Sequence, residues 1–371
     1  MAVGIRLGLD ARKLTDYGIG TYLRQLVVGL AQRSDIELTL VVRSGHEERA
    51  QLLAPEARIV STSAPGYSFA EHIAVPASLW REKVDLVHVP HYVVPVLLTH
   101  PVVVTVHDMI QLFYPPAKRR TLALLYLRTM LRLAITRARR VITVSRAART
   151  DLAQLLGTDP GRFSVVLNGV DPGLAERPPR EELEELRTLH ALRPPLILVV
   201  GSDKPHKNIE MVLRAFHLAV RRHRIPGQLV LVGGPGIGSR LAERAQRLGL
   251  GDRVRLLGRV SQRDLAGLYH LSSVLLHVAL YEGFGLPVLE AMRAELPVIT
   301  SNLGAMRELG EGAARLVNPL DVYEIAAALE QVLVDDPLRQ RMVAAGRRKA
   351  DKLAWDSTVE ATVAIYRQAL A

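Results

Sequence analysis

The chain has 371 residues, which is enough for two domains that each bury a hydrophobic core. Apolar residues make up 49% of the chain and charged residues 23%, so the composition excludes an intrinsically disordered protein. The absence of cysteine excludes a disulfide scaffold, a cysteine-ligated zinc site and a thiol nucleophile, and most of the net charge of +11 comes from one segment described below.

Short apolar runs alternate with helical patterns through the first half of the chain. The runs are continuous rather than alternating, which predicts strands covered on both faces, as in a parallel sheet. A helix is predicted to begin near Ile19. The repeated strand-helix units predict a doubly wound α/β domain. Its predicted strands are residues 5–9, 38–42, 86–89, 102–106 and 141–144.

Residues 168–195 break this rhythm with five prolines around a charged stretch, which predicts an interdomain connection with one short helix. A second α/β series follows, with strands at 196–200, 229–232, 254–257, 274–277 and 298–300 and helices at 322–334, 337–352 and 358–370. We therefore expect two Rossmann-like domains, 1–172 and 173–355, facing each other across a cleft. Residues 356–371 should form a helix that packs back on the first domain. Ligands in such sheets bind beyond the carboxyl ends of the strands.

Residues 282–290 form a stretch that follows a predicted strand and opens a predicted helix. Gly283 and Gly285 permit a tight bend and close approach to a ligand, and Pro287 suits the first helical turn. Free N–H groups at a helix start attract an anion, and Glu282 and Glu290 could accept hydrogen bonds from sugar hydroxyls. Two glutamates alone would equally fit a capped strand-turn-helix corner, but the complete stretch is more specific.

Three further candidate sites follow predicted strands. Gly201 is followed by a basic turn in which Lys204 and Lys207 could neutralise a diphosphate, although a solvated basic turn is the alternative. Gly18 and Gly20 form a short glycine loop before the first helix, a weak signal by itself. His107 follows the strand at 102–106, where a lone histidine is more often structural than catalytic.

The spacing Glu-x7-Glu inside the stretch EGFGLPVLE is similar to the signature of retaining GT-B glycosyltransferases, family 4, also called glycosyl transferases group 1. By this resemblance Glu290 should bind the ribose hydroxyls of a nucleotide and Glu282 the hydroxyls of the donor sugar. The backbone of Phe284 to Leu286, beside Gly283 and Gly285, should contact the sugar and the diphosphate. His107 matches the histidine that contacts the donor sugar in this family.

The same resemblance extends to the two glycine loops. Gly18 and Gly20 match the loop that approaches the donor phosphates and the acceptor, and Lys207 matches the second of two basic residues that follow Gly201 in the family. Ser202 stands where the first, an arginine, is usual, so Lys204 is the candidate for the missing charge. The KPHKN variant is similar to family members that use GDP-mannose, which favours that donor.

The basic charge is concentrated between residues 110 and 150, where ten lysines and arginines occur without an aspartate or glutamate. A patch of this kind indicates an anionic partner. The pattern there predicts a long helix over 115–150, either packed with a solvated basic face or docked to an anionic membrane through residues 118–149. Lipid-linked or anionic-glycan acceptors would explain it equally well. Residues 118–149 contain one aromatic residue, Tyr126, and no nucleic-acid-binding module, so no nucleic acid partner is expected.

The resemblance implies a retaining, metal-independent hexosyltransferase that needs no cofactor and uses a nucleoside-diphosphate sugar. Its acceptor would be a glycan or a lipid-linked glycan in cell-envelope polysaccharide or glycolipid synthesis, and loops at 65–72 and 91–95 would select it. No signal peptide or spanning helix is predicted, so we expect a cytoplasmic protein, peripheral on the inner face of the membrane. The alternatives are a nucleic-acid or membrane-surface binding protein, a sugar-nucleotide epimerase on the same fold, and a dehydrogenase, for which the third glycine of Gly-x-Gly-x-x-Gly is missing.

Overall fold

The computed structural model describes residues 4–16, 18–66, 68–115, 120–234 and 239–371, and leaves the side chain of Arg120 undescribed. The chain divides into two compact units. The N-terminal unit comprises Met1–Gly169 together with Trp355–Ala371, and the C-terminal unit comprises Val170–Ala354. Each unit is built on its own parallel β-sheet.

The sheet of the N-terminal unit consists mainly of strands rich in Val, Ile and Leu. Over the described residues these strands are β1 (Ile5–Asp10), β2 (Ile36–Arg43), β3 (Arg58–Thr62), β4 (Leu86–Val89), β5 (Val102–Val106), β6 (Arg140–Thr143) and β7 (Phe163–Val165). Their order in the sheet is β3-β2-β1-β4-β5-β6-β7, and all neighbours are parallel. The strand order reverses between β1 and β4, which marks the usual ligand-binding edge of such a sheet.

Helices follow most of these strands. They are α1 (Ile19–Ala31), α2 (Glu47–Leu53), α3 (Glu71–Trp80), α4 (Ile110–Phe113), α5 (Arg120–Arg137) and α6 (Arg146–Leu156). The buried face of α1 carries Tyr22, Leu26 and Leu30, which recur at helical spacing. This arrangement covers the apolar strands that the sequence pattern predicts.

The long helix predicted over 115–150 is not observed. Helix α5 ends at Arg137, strand β6 follows, and α6 starts after Ser145. The Ser145 hydroxyl accepts a hydrogen bond from the Ala148 N–H at 2.9 Å, which satisfies one of the unpaired donors at the start of α6. Val141 and Ile142 are therefore strand residues buried in the sheet, and Val144 is buried directly after the strand. Lys118 and Arg119 of the basic segment lie outside the described residues.

The C-terminal unit repeats the same strand order. Its strands are β8 (Leu196–Val200), β9 (Gln228–Val232), β10 (Val254–Gly258), β11 (Val274–His277), β12 (Val298–Ser301) and β13 (Arg315–Val317), in the order β10-β9-β8-β11-β12-β13. All neighbours are parallel, and the order reverses between β8 and β11.

The helices of the C-terminal unit cover this sheet. They are α7 (Arg180–Leu189), α8 (Ile209–Arg222), α9 (Arg240–Arg247), α10 (Gln262–Leu271), α11 (Leu286–Arg293), α12 (Gly304–Gly310), α13 (Val322–Val334) and α14 (Asp336–Ala350). Phe216 of α8 and Leu329 of α13 are fully buried in the core. Among the described residues, none of the helices has both the length and the apolar character that crossing a membrane requires.

The last helix, α15 (Trp355–Leu370), belongs to the N-terminal unit and packs against α1. Gly29 of α1 lies directly against Val359 of α15, because a Cβ atom at position 29 would come within 2.5 Å of a Val359 methyl group. The absence of a side chain at this point lets the two helices approach closely.

We predict that Gly29→Ala lowers the free energy of unfolding by ~1–2 kcal/mol, because the overpacking cost exceeds the gain in helix propensity. In a Val359→Ala background the added methyl group meets no obstacle, so the same substitution should be neutral or stabilising there. Urea unfolding of the four proteins of this double-mutant cycle measures the difference. Equal effects of Gly29→Ala in both backgrounds would contradict the contact.

Candidate active site

The loops of interest in the C-terminal unit lie at the carboxyl ends of β8 and β11, on the two sides of the strand-order reversal. After β8 come Gly201 and a short 3₁₀ helix, Pro205–Lys207. After β11 comes the turn that contains Glu282 and leads to α11. Sequence-distant loops meet here because the carboxyl ends of adjacent parallel strands share one edge of the sheet.

The backbone of the first loop holds Lys207 in place. A Cβ atom at position 201 would lie 3.2 Å from Cδ of Lys207, so Gly201 leaves room for the lysine stem. Asn208 follows in the left-handed region, with φ of 60°. Its side-chain amide donates hydrogen bonds to the carbonyl oxygens of Val278 at 3.1 Å and Pro319 at 2.8 Å. The loop after β8 is thereby fixed to the elements on the other side of the reversal.

Lys207 donates a hydrogen bond to the Oε1 atom of Glu282. The lysine side chain is 16% exposed and the glutamate side chain 11%. Burial alone would raise the pKa of Glu282, but the Lys207 ammonium group, together with His277, outweighs burial and holds that pKa well below its ordinary value. Glu282 is therefore a carboxylate that is ready to accept further hydrogen bonds.

His277, the last residue of β11, completes this buried group. Its Nε2 atom lies 3.3 Å from Oε1 of Glu282, at ion-pair distance but without the alignment of a hydrogen bond. Burial lowers the pKa of His277, against the raising effect of Glu282, so the ring is neutral near pH 7. Burial also lowers the pKa of His206 to about 4. The positive charge beside Glu282 therefore belongs to Lys207 rather than to a histidine.

Glu290 lies on α11 and contacts a different partner. The hydroxyl of Tyr269 on α10 donates a hydrogen bond to Oε2 of Glu290 at 2.7 Å. Burial raises the pKa of Glu290, while the hydrogen bond from Tyr269 and the charge of Lys207 act against it. The influence of Lys207 places Glu290 within the same electrostatic site.

Helix α11 begins at this site. Gly285 precedes it with φ of 99°, a left-handed conformation that favours glycine, and a Cβ atom there would also displace the flexible end of the Met306 side chain. Pro287 occupies the first turn, and Phe284 is buried beside it. Helix α11 thus begins next to Lys207 and Glu282, and the positive end of its dipole favours an anion there.

Lys204 is exposed at the start of the 3₁₀ helix and stays outside the buried group. Its charge disfavours protonation of His206. The structure thus brings Gly201, Lys207, Glu282 and Glu290 together with residues 283–286, and leaves Lys204 at the rim.

The sequence patterns did not predict His277 or Tyr269 as site residues. His277 could have been found as a polar residue at the carboxyl end of a buried strand, whereas nothing in the sequence distinguishes Tyr269.

The remaining predicted site residues lie in the N-terminal unit. Gly18 precedes α1, and at Gly20 a Cβ atom would lie 2.9 Å from the carbonyl oxygen of Leu14. His107 follows β5 and packs edge-on against Tyr22, with ring centroids 4.6 Å apart. Burial lowers the pKa of His107 to about 3, and its buried Nε2 has no hydrogen-bond partner among the described residues. A neutral ring with an unused nitrogen can accept a hydrogen bond from a ligand hydroxyl.

A chain of buried side chains supports this histidine. His88 on β4 lies between the hydroxyl of Tyr366 on α15, at 2.7 Å, and that of Thr105 on β5, at 2.8 Å. Thr105 in turn lies 3.4 Å from the hydroxyl of Tyr22. Helix α15 is therefore linked through hydrogen bonds to the tyrosine that packs on His107.

The N-terminal unit also buries an ionic group that the sequence analysis missed. Arg12 donates two hydrogen bonds to Asp10, at 2.9 and 2.7 Å, and one to Glu71 at 2.9 Å. All three side chains are at most 4% exposed. Burial would raise the pKa of Asp10, but Arg12 holds it well below its ordinary value. This group ties the end of β1 to the start of α3 and fixes the segment that leads to Gly18.

The comparison with solved structures identifies the class of fold. The structure of HepE from Anabaena, described as in complex with UDP and glucose, superposes with a TM-score of 0.76 at 18% identity, over 98% of this chain and 99% of that one. The two α/β units with parallel sheets are those of GT-B glycosyltransferases, which confirms the predicted fold class.

The family follows from the sequence comparisons. The model of glycosyl transferases group 1 matches residues 182–349, and that of glycosyltransferase family 4 matches residues 17–174. O-antigen chain mannosyltransferase B of Escherichia coli is 30% identical over 284 residues, which are 76% of this chain and 73% of the relative. The chain belongs to the group 1 glycosyl transferases, and the predicted family is confirmed.

A second relative shows the same relationship over a shorter span. MMP alpha-(1->4)-mannosyltransferase of Mycolicibacterium hassiacum is 33% identical over 237 residues, which are 62% of this chain. The match spans just over half of that relative, 54% of its length. The family assignment favours a glycosyltransferase over the dehydrogenase, epimerase and nucleic-acid-binding alternatives.

We predict that Lys207→Met lowers the free energy of unfolding at pH 7 by ~3 kcal/mol, because it leaves the Glu282 carboxylate buried without a counter-ion. In the wild type the pKa of Glu282 is lowered, so its contribution to stability is present above the ordinary carboxyl pKa and is lost as the pH falls below it. In the variant burial raises this pKa, so stability should instead fall as the pH rises from ~4 to 7.

Urea unfolding at several pH values measures this change of sign. The double variant Lys207→Met/Glu282→Gln is the control, because a neutral amide removes the unpaired charge, and its stability should depend less on pH in this range. A single variant with the same pH profile as the wild type would show that Lys207 does not set the pKa of Glu282.

Proposed function

We propose that the protein is a retaining, metal-independent hexosyltransferase that takes its sugar from a nucleoside-diphosphate donor, with GDP-mannose favoured. The observation that carries the proposal is the buried Lys207–Glu282 pair at the start of α11, with Glu290 on the same helix. This group combines a fixed positive charge, a helix N-terminus and two carboxylates. The positive charge and the helix N-terminus suit a diphosphate, and the two carboxylates suit the hydroxyl groups of a sugar and a ribose.

In this proposal each group has a separate task. Lys207 and the N–H groups at the start of α11 bind the diphosphate and stabilise the charge that develops as it departs. Lys204 adds a second positive charge from the rim. Glu282 accepts hydrogen bonds from the donor sugar, and Glu290 accepts them from the ribose. Gly201, Gly283 and Gly285 let the backbone approach the ligand closely, as do Gly18 and Gly20 in the N-terminal unit.

The choice of donor rests on the relatives. Both mannosyltransferases compared above carry that activity in their names, at 30% and 33% identity. HepE, which shares the fold at lower identity, is described with UDP and glucose. We therefore favour mannose and a guanine nucleotide, with uridine as the alternative that the binding experiment below tests.

The reaction we propose breaks the bond between the anomeric carbon and the diphosphate oxygen. The acceptor hydroxyl attacks from the face that the diphosphate leaves, and the departing phosphate oxygen takes the hydroxyl proton, so the configuration is retained. His107 stays neutral because burial lowers its pKa to about 3, and it accepts a hydrogen bond from a sugar hydroxyl rather than a proton from the acceptor. The electrostatics come from Lys207 and α11, without a metal ion or other cofactor.

We further propose that the acceptor is a glycan or a lipid-linked glycan and that the reaction belongs to cell-envelope polysaccharide or glycolipid synthesis. The loops at 65–72 and 91–95 would contact the acceptor, and within the first of them residue 67 lies outside the described residues. The place of the reaction would be the cytoplasmic face of the membrane, which the arginine-rich segment at 118–149 would contact. No nucleic acid takes part in this proposal.

We predict that one nucleoside diphosphate among GDP, UDP, ADP and dTDP binds with micromolar affinity in calorimetry. Glu290→Ala should weaken that binding, because the ribose contact is lost. Lys207→Ala should lower turnover at least a hundredfold, which corresponds to ~2.7 kcal/mol of activation free energy, because it removes the positive charge at the leaving phosphate. Lys352→Ala, at an exposed lysine outside the site, is the matched control. Absence of binding to every nucleotide by a folded protein would contradict the site, and an inverted product, seen by NMR of its anomeric proton, would contradict retention.

A second prediction concerns pH. Because burial raises the pKa of Glu290, its carboxylate form should be lost at a higher pH than that of an ordinary glutamate, ~4.3. Affinity for the nucleotide sugar should therefore fall as the pH decreases, starting above that value. A nucleotide sugar is the suitable ligand because it lacks the terminal phosphate group that titrates near pH ~6. Glu290→Gln should bind more weakly and without this pH dependence; a pH dependence equal to that of the wild type would exclude Glu290 as its source.

A further inference from the structure

An outward-facing apolar stripe lies on α3 of the N-terminal unit. Ile73 and Trp80 are 63% and 85% exposed, Ala77 between them is exposed as well, and Phe69 in the turn before the helix is 87% exposed. Positions 73, 77 and 80 recur at helical spacing, so these side chains lie on one face of the helix, with Phe69 four positions before Ile73. The opposite face of α3 is buried through Val75 and Leu79. The helix is therefore apolar on both sides, which a solvated surface helix is not.

The segment 93–98 lies beside α3 in the connection from β4 to β5 and does not form a helix. The Val96 N–H donates a hydrogen bond to Nδ1 of His72 on α3 at 3.2 Å. From the other side, Arg137 of α5 donates hydrogen bonds to the carbonyl oxygens of Val96 and Leu98, the latter at 2.5 Å. Leu97 in this segment is 59% exposed. The segment thus joins α3 and α5 into one outer layer.

Helix α5 adds basic charge to this layer. Leu122 and Leu125 are 73% and 63% exposed, and Arg128 and Arg132 are exposed one and two turns further along the same face. Over α3, segment 93–98 and α5, the one acidic residue is Glu71, which is buried and paired with Arg12. The layer therefore presents exposed aromatic and aliphatic side chains beside arginines, with no exposed carboxylate among them.

We propose that this layer docks on a lipid bilayer with an anionic surface. Trp and Phe are suited to the interface between headgroups and acyl chains, and arginines beside them are attracted to anionic headgroups. A second copy of the chain would bring arginines against arginines, and a solvated surface would not expose two aromatic side chains on one stripe. This inference deepens the location given in the proposed function by naming the surface that makes the contact.

The test uses the full-length protein and vesicles, with neither donor nor acceptor, so its outcome is independent of the transferase chemistry. The chain has two tryptophans, and Trp355 is buried, so Trp80 is the exposed reporter. Vesicles with about 30% phosphatidylglycerol should sediment the protein and shift Trp80 emission to the blue, whereas pure phosphatidylcholine vesicles should bind it weakly. Added salt should weaken the binding.

Two pairs of substitutions identify the surface. Arg128→Gln/Arg132→Gln should weaken vesicle binding roughly thirty-fold, since each basic residue near an anionic surface contributes about 1 kcal/mol. Ile73→Ser/Trp80→Ser should weaken it roughly tenfold or more. The matched controls are Leu52→Ser, at a side chain 78% exposed on α2, and Arg221→Gln/Arg222→Gln, at exposed arginines of α8. Circular dichroism and thermal unfolding of each variant verify that it is folded.

Failure of the folded wild type to bind anionic vesicles would overturn the proposal. So would binding that neither pair of substitutions weakens more than its control. A concentration-dependent dimer in light scattering that Ile73→Ser/Trp80→Ser dissociates would show instead that the stripe contacts a second copy. Nucleotide binding without vesicle binding would leave the proposed transferase site standing and remove this surface alone.

Discussion

The hydrogen-bonded ion pair of Lys207 with Glu282 is the interaction on which the C-terminal unit depends at its functional edge. A carboxylate that is only 11% exposed needs a counter-ion, because burial otherwise favours its protonated form. The local backbone keeps the lysine in reach: Gly201 leaves space for its stem, and Asn208 anchors the loop to Val278 and Pro319. The pair therefore joins the loops after β8 and β11, and the start of α11 depends on that junction.

The N-terminal unit meets the same physical constraint differently. At the end of β1, Arg12 pairs with both Asp10 and Glu71 within a group that is almost completely buried, so this group stabilises backbone positions rather than facing a ligand. His107, which burial keeps neutral, is among the described buried residues with unused hydrogen-bonding capacity. The N-terminal unit therefore offers a neutral acceptor at the end of β5, whereas the C-terminal unit offers charge at the ends of β8 and β11.

The strands were predictable where both faces are covered, because continuous apolar runs such as β5 and β8 leave no other interpretation. The edge strands β3, β7 and β13 were not predicted, although the edge strand β10 was; β3, for example, is Arg58–Thr62, partly exposed, and its polar residues are typical of a loop. The loops that carry Lys207 and Glu282, and the helix start that carries Glu290, were also predictable, since glycines after a strand mark a close approach. Partners such as Tyr269 and the Arg12–Glu71 pair depend on contacts between residues far apart in sequence, which periodicity cannot show. The predicted roles of the site residues stay predictions.

The positive charge and the apolar stripe of the outer layer also differ in whether the sequence predicts them. Its positive charge is visible in the sequence because α5 lies within residues 110–150, a segment with ten basic residues and no acidic one. Its apolar stripe is not visible, because Ile73 and Trp80 alternate along α3 with Val75 and Leu79, and the whole helix reads as core. The fold separates them by turning one set toward the sheet and the other outward. An apolar side chain contributes to membrane binding only where binding displaces water from it. The exposed apolar side chains of α3, and not the hydrophobicity of the whole helix, therefore determine whether this face can bind a membrane.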